Sequence, residues 1–160
     1  NLIVELDGKR ALDVFRGEIA SLSSDAGAAV FAGLIVSGSD SGDYLVRNLL
    51  GVDQESGIVA VAAELSHGDR LLFCRRDAYA AATDLTRMLD GLAGRIDAEP
   101  RGALYYSCLA RGPNLFGPNS AELAAIQDVF GPLPMVGFFA NGEICHDRLY
   151  THTGVLTLFL

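Results

Sequence analysis

Apolar and polar positions change period several times along the chain, and each change marks an element. Asn1 to Leu6 is a short apolar run that alternates weakly, which predicts a mostly buried strand closed by the turn pair Asp7-Gly8. From Ala11 the spacing becomes helical. Leu12, Phe15, Ile19 and Leu22 share one face, with Asp13, Arg16 and Glu18 on the other, and the Ser23, Ser24, Asp25, Gly27 cluster is expected to end this helix.

Between Ala28 and Arg75 the helical period disappears. Four short β-type runs, Val30 to Val36, Tyr44 to Leu50, Ile58 to Leu65 and Leu71 to Arg75, alternate with links rich in Gly, Ser and Asp, a spacing that predicts an antiparallel meander. Asp77 is placed to cap a second helix from Ala78 to about Leu92, whose stripe Ala81, Leu85, Met88, Leu89 and Leu92 should pack on a sheet. Gly94 stands where a left-handed cap would sit. Ala103 to Leu109 reads as a further strand. Asn119 with Glu122 three residues later resembles a helix-capping arrangement for a helix Ser120 to Phe130, stopped by Gly131 and Pro132. Two last apolar runs, Val136 to Ala140 and Val155 to Leu160, flank a polar segment. The order strand, helix, four strands, helix, strand, helix, two strands predicts an α+β domain with a mixed, largely antiparallel sheet and about three flanking helices.

Length and charge narrow this picture. At 160 residues the chain fits one domain spanning 1–160, with no interior linker, and can bury about two thirds of its unfolded surface without a staple. Half of its residues are hydrophobic and mean hydropathy is +0.29, yet no apolar run approaches the ~20 residues of a membrane helix. The net charge of −8 with only 12 Lys and Arg argues against nucleic acid and against an anionic lipid surface. Cys74, Cys108 and Cys145 form no paired spacing, so a reducing cytoplasm is the expected compartment. The opening lacks Met and a signal core, and the chain is expected to be a fragment of a longer protein.

Candidate chemistry gathers at two places. Ser107-Cys108-x-x-Arg111-Gly112 lies where a strand gives way to a loop; Cys108 is a nucleophile only if a base or helix N-terminus lowers its pKa, and Arg111 is suited to a carboxylate. The terminal segment holds Asn141, Gly142, Glu143, Cys145, His146, Asp147 and His152. The last four are legal zinc ligands, but neighbouring side chains in an extended chain diverge and no second Cys-x-x-Cys arm exists, so neither a metal nor another cofactor is expected. Glu143 follows a bend and suits either acid–base work or an amino group on a ligand.

Three pieces, ALYYSCLARGPNLFG from Ala103, LPMVGFFANGEI from Leu133 and THTGVLTLFL from Thr151, resemble the C-terminal half of the FIST family, named for F-box and intracellular signal transduction. Weaker similarity reaches the opening NLIVELDGKRALDVFRGEI. The resemblance implies a bacterial sensory domain for small ligands such as amino acids, found alone or joined to signalling modules, and a missing N-terminal half. It places Ser107, Cys108, Arg111, Gly112, Phe116, Gly117, Gly137, Phe138, Asn141, Gly142, Glu143 and Thr153 in recurring motifs. A Gly commonly follows Glu-Ile in the family, whereas Ile144 precedes Cys145-His146-Asp147. The leading expectation is a non-catalytic sensor in which Arg111 holds a ligand carboxylate, Asn141 and Glu143 hold its amino group, and Phe116 and Phe138 form the apolar wall. The rivals are a thiol or acid–base enzyme using Cys108, His152 and Glu143, and a structural half that oligomerises through Val155 to Leu160.

Overall fold

A computed structural model describes residues 1–22, 29–38, 42–119 and 121–160. The α+β class holds, and among the described residues every strand pair is antiparallel except one. The chain divides into two compact units, Asn1–Arg76 and Asp77–Leu160.

In the first unit the opening run forms β1 (Leu2–Ile3) and then a tight hairpin of β2 (Glu5–Leu6) and β3 (Lys9–Arg10). Asp7 and Gly8 turn it with φ of 50° and 76°, the positive pair that a two-residue hairpin turn requires. At the start of helix α1 (Ala11–Leu22) the N–H groups of Ala11 and Leu12 donate to the carbonyls of Val4 and Gly57. The expected terminator, 23–28, lies outside the described residues, as do the side chain of Leu22, 39–41 of the first sheet link, and Ser120.

The four middle runs become β4 (Val30–Ile35), β5 (Tyr44–Asp53), β6 (Ile58–Val61) and β7 (Leu71–Arg75). The sheet order is β1-β6-β5-β4-β7, so only β4, β5 and β6 form a meander and β7 returns to the far edge of β4. Ala11 and Leu12 of α1 bury against Ile3, Ala32, Val59 and Val61, while Phe15 meets Phe73 edge-on at 4.9 Å.

The second unit opens with α2 (Ala78–Ala93). Asp77 caps it as its position predicts, accepting the Ala80 N–H at 2.7 Å. Gly94 does not adopt the expected left-handed cap. It stays right-handed at φ −70° because the chain continues turning, with Gly94, Arg95 and Ile96 donating back to Asp90, Leu92 and Ala93. Strand β8 (Gly102–Cys108) then runs into a one-turn helix α3 (Pro113–Phe116) and into α4 (Ala121–Phe130), a helix more than the three expected. The chain returns as β9 (Met135–Ala140), parallel to β8.

The polar segment after β9, for which the apolar spacing predicts no element, forms a hairpin of β10 (Glu143–Cys145) and β11 (Arg148–Tyr150), after which β12 (Gly154–Phe159) pairs with the other edge of β8. Leu89 of α2, Ile126 of α4 and Tyr105 of β8 form the buried centre, joined by Met135 and Leu156.

Pairing of β8 with β9 demands a glycine at one position. Opposite Tyr105, a Cβ on Gly137 would come 1.7 Å from the Tyr105 carbonyl oxygen, a backbone atom that cannot rotate away. Gly137→Ala is therefore expected to cost roughly 3 kcal/mol or more in urea unfolding. A loss under about 0.5 kcal/mol would show that β9 does not pack this closely.

Candidate functional site

Alternation along β8 sends Tyr105 and Ser107 to the same sheet face, which α4 covers. Glu122, in the first turn of α4, points at both and is 3% exposed. Its Oε1 accepts the Tyr105 hydroxyl at 2.5 Å and the Arg111 Nε–H at 2.6 Å, and its Oε2 accepts the Ser107 hydroxyl at 3.0 Å. Three donors from β8 and the following loop thus meet one carboxylate. Such a buried charge is tolerable because it is both paired and hydrogen-bonded. Burial, and then the adjacent Glu122 charge, push the Tyr105 hydroxyl above its usual range, so Tyr105 remains a donor at neutral pH.

Small residues clear the way for this arrangement. Tyr105 crosses over Gly154 of β12, where a Cβ would sit 2.4 Å from its hydroxyl. The loop turns back at Gly112, φ 52°, beneath the Phe139 ring, which an added Cβ would meet at 2.7 Å. That turn carries the Arg111 guanidinium over the Phe116 ring, 4.8 Å from its centre.

Next to the cluster is a cavity of about 410 Å³. Glu122 and Ser107 contribute its polar side. Phe116, Leu123, Phe138 and Phe139 contribute apolar wall, and Gly137 lies between them on β9. A carboxylate offers about four acceptor positions. Among the described residues three of Glu122's are taken, which leaves acceptor capacity beside the cavity.

Of the residues singled out in the sequence, Ser107, Gly112, Phe116, Gly137 and Phe138 border this cavity, and Arg111 adjoins it through Glu122 and Phe116. The others do not border it. Cys108 is buried, its backbone N–H donating to the Thr153 carbonyl at 2.9 Å. Asn141 is exposed and Gly142 half-buried at the start of the β10–β11 hairpin. Cys145, His146 and Asp147 lie at that hairpin's tip, and among the described residues no three His, Cys, Asp or Glu side chains gather as a metal set would.

Glu143 stands apart. It is 2% exposed, and neither carboxylate oxygen receives a hydrogen bond of good geometry from the described residues. Burial raises its pKa above the ordinary carboxyl value; the Thr153 and Gly142 N–H groups and the Arg111 charge oppose this only in part. Arg111 consequently lies between two buried carboxylates, bonded to one and in the field of the other.

The FIST C domain model matches residues 11–146. The chain belongs to the FIST C domain family. This is a signal-transduction sensory family. The third resembling piece, from Thr151, lies past the matched range, but the mycobacterial relatives align over 99% of the chain. One is an uncharacterized protein of Mycobacterium tuberculosis, 31% identical over 171 residues; another, from Mycobacterium bovis, is 32% identical. The FIST C chain spans 45% and 44% of their lengths. No solved structure was found to match it.

Glu122 has a different role from the one its spacing predicts. Its spacing from Asn119 looks like a capping box, yet its carboxylate turns inward to β8. The available signal was the pair Tyr105 and Ser107, two polar residues on one face of an otherwise apolar strand, which requires a buried partner.

Two outcomes follow from this geometry. Glu122→Ala strands a buried guanidinium and two hydroxyls, so the expected loss is about 3–5 kcal/mol, read by urea unfolding; a change below about 1 kcal/mol would mean that the cluster is solvated. Glu143 titrates in the opposite sense to a salt-bridged carboxylate. Because its folded pKa is raised, its stabilising share is present below the ordinary carboxyl pKa and is lost as pH climbs through the raised value. Glu143→Gln, neutral throughout, should gain stability relative to the parent as pH rises from the ordinary carboxyl pKa through the raised value. A difference in urea midpoint that stays flat with pH would contradict the raised value.

Proposed function

We propose that the chain is the ligand-receiving part of a bacterial signal-transduction protein, non-catalytic, and that the ligand occupies the cavity beside Glu122. The observation that carries this reading is a cavity with aromatic walls that opens onto one buried carboxylate with acceptor capacity to spare. Pockets that hold small molecules have this character, mostly apolar with a few placed polar groups, at volumes of about 300–1,000 Å³.

The chemistry favours a ligand with an apolar body and one donor group, and an amino acid with an apolar side chain fits that description. Compared with the pose expected from sequence, the acceptor of the amino group shifts from Glu143 and Asn141 to Glu122. Arg111 acts by fixing the Glu122 carboxylate, and Phe116 and Phe138 keep their role as wall. Signalling then needs only that the ligand bind one conformation more tightly than another. Glu122 is suited to that, since any movement of its carboxylate disturbs three donors on β8 and its loop.

The test is a thermal-shift series with apolar amino acids and their amines. At ligand concentrations near 100 Kd, binding to the folded chain contributes about 2.7 kcal/mol, a rise of roughly 5–10 °C. Glu122→Gln, which keeps the shape and loses the charge, should reduce the shift at least several-fold. If no member of the series moves the transition, or the variant responds as the parent does, the reading fails.

A further inference from the structure

Strand β9 presents an unpaired edge to the same cavity. The in-register parallel pairing with β8, together with the Ala103 N–H to Pro134 carbonyl bond at 2.9 Å and the Leu109 N–H to Ala140 carbonyl bond at 2.8 Å, fixes which peptide groups of β9 face β8. Those of Val136 and Phe138 face inward. The N–H and C=O groups of Met135, Gly137 and Phe139 therefore face the opposite way, and among the described residues no strand pairs with that edge. All three residues border the cavity.

Natural edge strands are usually protected by charge, proline, a bulge or brevity. Here Met135 to Ala140 holds six residues with no charge and no proline, and Val136 and Phe138 are 67% and 65% exposed on the face away from α4. On the α4 face Gly137 has no side chain between Met135 and Phe139. Gly137 and Glu122 border the same cavity.

From this juxtaposition we infer that the ligand is an extended peptide that adds a strand to β9, its main chain pairing with the peptide groups of Gly137 and Phe139 and one apolar side chain entering the gap over Gly137. Its free amino terminus lies by Glu122, whose remaining acceptor position receives it. The inference rests on the cavity reading above and refines it from small molecule to peptide. Main-chain pairing supplies affinity in such complexes, and the pocket for a side chain supplies selectivity.

The experiment compares leucine, the tetrapeptide Ala-Leu-Ala-Ala with a free amino terminus, and the same peptide N-methylated at one backbone nitrogen at a time, each titrated calorimetrically into the intact chain. A paired strand directs alternate N–H groups at its neighbour, so methylation at one parity should weaken binding at least ten-fold and at the other parity less than about three-fold. The Gly137 and Phe139 amides should also slow in hydrogen exchange with peptide and not with leucine. Equal effects at both parities, or leucine binding as tightly as the peptide, would overturn the strand-addition proposal while leaving the cavity reading intact. Absence of binding by leucine and peptides alike would overturn both. Concentration-dependent dimerisation of the free chain that protects the same two amides would overturn the peptide proposal in favour of a second copy as the occupant.

Discussion

A carboxylate removed from water has to be met by donors, and the side chains that meet Glu122 set most of the geometry of the second unit. Tyr105 and Ser107 can reach it only if β8 presents both on the α4 face. Arg111 can reach it only if the chain reverses at Gly112. Gly154 has to leave room for the Tyr105 ring, and α4 has to begin where its first turn overlooks β8. Five positions that look unrelated along the chain thus answer one electrostatic demand.

Glu143 illustrates the opposite case. Its oxygens are as deeply buried as those of Glu122 but lack matched donors, so folding disfavours its charged form. One arginine serves both neighbourhoods. Because it is bonded to Glu122, its charge reaches Glu143 only through space and offsets the effect of burial there only in part.

Much of the scaffold was legible in the sequence because local rules decide it. The α1 and α2 helices, the Asp77 cap and the Asp7-Gly8 turn depend on near neighbours, and each stands where its pattern placed it, although Met88 of the expected α2 stripe is exposed. What escaped depended on distant partners. Nothing local to Leu71–Arg75 says that it returns to β4, and nothing local to Gly94 says that the turn continues past it. Asn119 and Glu122 satisfied a local rule for capping, but the three donors waiting on β8 and its loop make a stronger claim on that carboxylate than a backbone N–H does. The FIST resemblance pointed to two stretches, Ser107 to Gly112 and Gly137 to Glu143, without indicating which side chains meet.

The parallel pairing of β8 and β9 bears on how the second unit assembles. Antiparallel neighbours can zip from a tight turn, whereas β9 cannot reach β8 until the whole stretch from Leu109 to Pro134 has closed as a loop. Glu122 sits near the middle of that stretch. Once it engages Tyr105 and Ser107, the remaining open segment is shorter and the entropy of closing it smaller. The same contact that shapes the cavity would then act as a latch in the folding reaction, drawing the last strand of the unit's parallel pair into register.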